Sequence, residues 1–275
     1  MAISKAQKAA YNDDIKALQA DSNELEKRIR ELASKKKSKS GLEPYYNLEI
    51  VTYLTHTIDL YIQMSDLSVT MLGIKNSKSL DAAKSNFSKI LQYMKETVGD
   101  EVDRESLKEN EDYLAAIDKL NPGQILDLAH KINNIFNKLR ERMGEDSKWK
   151  WHFVEFQAKV AMIIRNLINF TNILKYRDPR ETFFRDRREH LELAKETLEE
   201  AAKQYRTKYE LSSKSREDLK KSIEILEALR KVHIVIGESG EADKLKTTID
   251  AARQTMEAGD KKKDTDELSK KKGRV

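Results

Sequence analysis

The sequence predicts an all-α protein, elongated and bent, with a multi-helix bundle and a long coiled-coil-like arm. Three observations carry this. Apolar residues recur at three- and four-residue steps through most of the chain, the helical period. Only three prolines and nine glycines occur in 275 residues, too few for the many turns of a β fold. Charged residues make up 36% and apolar ones 39%, a balance that suits long amphipathic helices with solvated outer faces.

Residues 4–34 place Tyr11, Ile15, Leu18, Ser22, Leu25, Ile29 and Leu32 at alternating steps of four and three, a heptad seam. So narrow a stripe needs a partner helix. The Lys-rich stretch Ser34–Gly41 reads as a linker. Pro44 suits the first turn of a second helix that ends at about Leu72, with Gly73 as its C-terminal cap. Ser79 is placed to cap a third helix, Leu80 to about Val98. Asp103 is placed to start a fourth, carrying Leu107, Leu114 and Ile117. Asn121-Pro122-Gly123 marks a further start, with Asn as cap and Pro at the first position, and Gly144 ends that helix.

The stretch from Ser147 to Tyr176 is the most apolar. Residues on nearly every side of the wheel are apolar from Val160 to Leu174, so this helix is expected to be the buried axis of the bundle. It should stop ahead of Asp178-Pro179, because proline pushes the preceding residue out of the helical region. Beyond Pro179 a seam runs from Leu191 to Ile236 in one register. It predicts a single helix of about 55 residues, roughly 80 Å long. The alternative is a bend at Leu211–Ser215, where Ser215-Arg-Glu-Asp218 can cap a new start. Gly237–Gly240 is a turn, and a last helix carries Leu245, Ile249, Ala252 and Met256. Residues 260–275 should be disordered alone. The apolar load thus divides the chain into a bundle, 45–178, and an arm of 4–34 with 180–258.

No cysteine is present, so disulfides and thiolate metal sites are excluded. Among the five histidines only Asp127–His130 resembles a ligand pair, and one pair is no metal site. No phosphate loop or nucleophile elbow occurs. The expectation is a protein that is not an enzyme, with no catalytic residue, no metal, no cofactor and no small-molecule substrate. The net charge of +5 comes from 52 basic and 47 acidic residues mixed along the chain, which argues against nucleic acid. Interleaved Asp260, Asp264, Asp266 and Glu267 weaken the Lys runs 261–263 and 270–272 as an anion contact. No run of about 18 apolar residues predicts a membrane span.

Two clusters are candidates for binding a partner. Trp149 and Trp151 lie two apart, pointing about 200° from each other on a helix, as an exposed anchor or as bundle core. The second cluster mixes Tyr176, Phe183 and Phe184 with Arg177, Arg180, Arg185, Arg187 and Arg188. Such a mix fits an interface with an acidic or aromatic partner, or else a first turn with both Phe rings buried.

The Leu42-Glu-Pro-Tyr-Tyr-Asn-Leu48 helix start, the aromatic stretch Trp149–Tyr176 leading into Asp178-Pro179-Arg180, and the long helix beyond resemble the spirochete flagellar coiling proteins. That resemblance implies a structural subunit of the periplasmic flagellar filament sheath. It would bind the filament core, other sheath proteins and copies of itself, promoting curvature and motility. The N-terminus has no apolar signal core, so a periplasmic location implies a mature form. The alternatives are a cytoplasmic coiled-coil adaptor and a basic helical binder of nucleic acid or lipid.

Overall fold

The computed structural model describes residues 4–36, 41–99, 110–144 and 149–272, with side chains in the last helix to residue 258. All regular structure among them is helical. Helices α1 (Lys5–Lys36), α2 (Glu43–Leu72) and α3 (Ser77–Val98) pack as consecutive antiparallel neighbours. Helix α4 (Asn110–Ala115) is short, and α5 (Pro122–Met143), α6 (Lys150–Asn166) and α7 (Phe170–Lys175) follow. Helix α8 (Phe184–Lys208) packs on α6 and α5, α9 (Arg216–Ile236) folds back on α8, and α10 (Ser239–Lys272) packs on α9.

Local signals set most of these limits. Gly73 and Gly237 adopt φ of 67° and 87°, and their N–H groups cap the last turns of α2 and α9. A side chain there would be forced into the left-handed region. Asn121 forms a full capping box with Gln124 at the start of α5. The cap of α3 is Asn76, whose side chain accepts from Ser79 N at 3.2 Å, so the helix starts before the expected Ser79. The expected starts at Asp103 and Ser147 lie outside the described residues, whereas Leu114 and Ile117 are buried as expected.

The central apolar stretch is two helices, not one. Arg165 is fully buried and its Nη1 donates to Asn166 Oδ1. The Asn166 amide in turn donates to the carbonyls of Val98 (3.0 Å) and Gly99 (3.2 Å) at the end of α3. Asn169 then caps Asn172 N at 2.8 Å and opens α7. Side-chain amides take over backbone partners here, and the helix breaks. Nearer the start of α6, Phe153 and Phe156 join Phe87 and Phe136 in a linked aromatic cluster with centroids 5.4–6.2 Å apart.

The expected 55-residue helix is replaced by a hairpin. Tyr209–Ser213 form a π-helical turn, and Lys214, at φ 45°, bonds N–H to Tyr209 O at 3.1 Å. Ser215 N donates to Ser213 Oγ, and α9 starts again at Arg216. Ser222 Oγ reaches Ala202 O at 2.8 Å, fixing α9 against α8. The cause lies in the polar seam at Lys208, Ser212 and Ser215, which offers a long helix nothing to bury.

The expected boundary at residue 178 is therefore not a boundary of the core. Leu191, Ala194, Leu198, Ala201 and Leu229 belong to the same buried cluster as Ile58, Phe87 and Ile163. A second, small cluster joins Leu219 and Ile223 of α9 to Ile249 and Ala252 of α10. Helix α10 continues to Lys272, through the stretch expected to be disordered. No proline interrupts it.

Candidate functional site: an arginine-rich elbow beside a cavity

The residues between α7 and α8 form a tight elbow. Arg180 wraps Asp178 with its backbone N–H (2.9 Å), Nε (3.0 Å) and Nη2 (2.7 Å). These bonds hold the Asp178 carboxyl below its ordinary range. Arg180 is thus an internally neutralised cation. Phe183 takes φ 62°, a left-handed conformation that costs a non-glycine residue about 1–2 kcal/mol, and its ring stays 37% exposed. Phe184, the first residue of α8, is half-buried. Arg187 donates Nη2 to Thr182 O at 2.8 Å and lies over the half-buried Tyr176 ring at 5.0 Å. Arg188 is exposed and only loosely paired with Glu192, at 3.8 Å. Arg177 and Arg185 are exposed, with no partner among the described residues.

The elbow thus brings together the second predicted cluster. The tryptophans are elsewhere, at the start of α6. Both Trp149 and Trp151 are half-buried against the core, with Lys84 over Trp149 and Lys150 over Trp151. Each is shared between the two roles the sequence allowed. The candidate pair Asp127–His130 is split: Asp127 is exposed, and His130 Nε2 meets Glu189 Oε1 at 2.9 Å. Among the described residues no three His, Cys, Asp or Glu side chains are arranged to hold a metal ion, and no helix is long and apolar enough to cross a membrane.

Sequence reasoning missed the cavity beside the elbow, of about 530 Å³, between α4, the start of α5, the α6–α7 junction and α8. Leu114, Ile117, Leu167, Ile168 and Ile173 give it apolar walls. Glu111, Asp112 and Asp118 contribute carboxylates from the α4 side, and Arg187 and His190 come from α8. Glu111 accepts from Thr171 Oγ1, and Asp118 accepts from Tyr45 OH at 3.2 Å. His190 is buried, with Nε2–H donating to Ile164 O at 2.9 Å. Burial lowers its pKa to about 4, so the ring is neutral near pH 7. The lone His beside the Leu191 seam was the available signal. Glu111 and Asp112 sit on a helix too short for any periodic pattern to reveal, and Asp118 lies in the turn after it.

A family model matches residues 7–260, which takes in the elbow, the cavity and nearly every helix. The chain belongs to the TP0443 family. The Treponema form of that family label fits a spirochete protein. No curated protein matches the chain. A chain from a study titled "Computational Design of Self-Assembling Cyclic Protein Homooligomers" aligns over 92% of this chain and 98% of its own. Its identity is 14% and its TM-score 0.30, too low to bear on the fold or role of this TP0443-family member.

Proposed function

We propose that the protein is a non-enzymatic structural protein that docks onto other proteins through the elbow, 176–188, as a subunit of the periplasmic flagellar filament sheath. One observation supports the docking most. An exposed Phe183 in a strained backbone conformation stands in a segment where the exposed Arg177 and Arg185 have no partner. Aromatic and arginine side chains kept out at a cost in stability are the residues that dominate protein interfaces. The flagellar part rests on the resemblance at Leu42–Leu48 and at Trp149 to Arg180, and on the spirochete form of the family label. The long continuous helix that also fed the resemblance is a hairpin, so the elbow bears more of the weight. The test is fractionation of cells that express the protein, followed by co-purification with filament proteins. Recovery in the periplasmic flagellar fraction is expected. Recovery in the cytoplasm, without filament proteins, supports the adaptor reading instead.

A further inference from the structure

The cavity beside the elbow has walls of three kinds, and their combination selects a ligand. Its size, about 530 Å³, is that of sites for small molecules. The apolar walls formed by Leu114, Ile117, Leu167, Ile168 and Ile173 favour an apolar body. Its charged groups come from separate elements, carboxylates from the α4 side and the Arg187 guanidinium from α8. Two of the three carboxylates are engaged, Glu111 by Thr171 and Asp118 by Tyr45. Asp112 is exposed and has no side-chain partner among the described residues. The only acceptor bound by the Arg187 guanidinium among them is the Thr182 carbonyl. A simple anion would meet three carboxylates, and a simple amine would meet the guanidinium. A molecule with both charges satisfies Asp112 and Arg187 together.

We infer that this cavity binds a small apolar zwitterion, the chemistry of a short apolar peptide, with its ammonium at Asp112, its carboxylate at Arg187 and its side chains against the apolar walls. This departs from the expectation of no small-molecule partner.

The test is calorimetric titration of the full chain with the dipeptide Leu-Leu, with N-acetyl-Leu-Leu, which lacks the ammonium, and with Leu-Leu amide, which lacks the carboxylate. Leu-Leu should saturate a single site, and each blocked form should bind at least tenfold more weakly. Arg187→Gln should bring Leu-Leu and its amide to equal affinity. Ala115→Trp, an exposed position on the cavity lining, should abolish binding and leave the urea midpoint unchanged. Absence of saturation by Leu-Leu overturns the inference. So does equal binding of either blocked form to the native chain, or unchanged affinity in both variants. The elbow's capture of proteins is a separate measurement and stands or falls apart from this one.

Discussion

Lys208 Nζ lies 2.8 Å from Asp218 Oδ1, tying the end of α8 to the start of α9 across the chain reversal. Asp218 is 7% exposed and also accepts from Ser213 Oγ within the turn. This carboxylate, two residues into α9, also faces the positive end of that helix. Asp218→Ala should cost about 2–4 kcal/mol, because it leaves Lys208 without its counter-charge and Ser213 without its acceptor. Urea denaturation followed by circular dichroism measures the loss. A change below about 0.5 kcal/mol would mean the reversal is held by apolar packing alone.

Stability should depend on the protonation of His190. Its folded pKa, about 4, lies below the unfolded value of about 6.5. The unfolded chain therefore binds more protons between these values, and stability falls as pH drops through that window. The stabilisation is fully present above pH 6.5. The loss reaches about 2 kcal/mol by pH 5 and levels off below pH 4. His190→Gln keeps a donor for Ile164 O without titrating. Urea midpoints at pH 7 and pH 5 should converge in that variant relative to the native chain.

Asn166 joins α6 to the end of α3 with one side chain. Asn166→Asp keeps an acceptor for Arg165 but cannot donate to the Val98 and Gly99 carbonyls. Asn166→Ala loses both kinds of bond in a site 2% exposed. The alanine variant should lose about 3 kcal/mol and the aspartate variant less, since the buried Arg165 charge gains a counter-charge. Thermal melts of the two variants give the order. The reverse order would mean that repulsion between the new carboxylate and the Val98 and Gly99 carbonyls outweighs its pairing with Arg165.

Reversing the elbow's charge tests the docking surface. Arg177 and Arg185 are exposed and have no described partner, so Arg177→Glu with Arg185→Glu should leave the melting temperature within about 2 °C. Capture of filament proteins by the doubly substituted chain should fall at least tenfold. Unchanged capture would move the binding surface away from the elbow.

What was legible in the sequence was what is encoded locally. Asn121-Pro122-Gly123 and Gly73 needed only their own neighbours to mark helix ends, and both marks hold. The break after Lys208 was legible as the bend at Leu211–Ser215 with its new start at Ser215, but arithmetic favoured the continuous helix. Residues 209–215 span seven positions, one heptad, so the seams on either side stay in phase as if the helix were continuous. The break at Asn166 was hidden for another reason: its amides find their acceptors on α3, distant in sequence. The elbow cluster could be picked out because its aromatic and arginine residues are contiguous. The cavity could not, since its walls come from four separate stretches.

The order of packing has a kinetic consequence. Helices α1 to α3, and again α9 and α10, rest mainly on the helix before or after them in the chain, whereas α8 packs on α6 as heavily as on α9. Such local pairing closes only short loops, and chains built this way acquire their structure quickly. Each hairpin can form once its second helix has left the ribosome, before the rest is translated. The slowest event should then be the meeting of the two halves around Asn166.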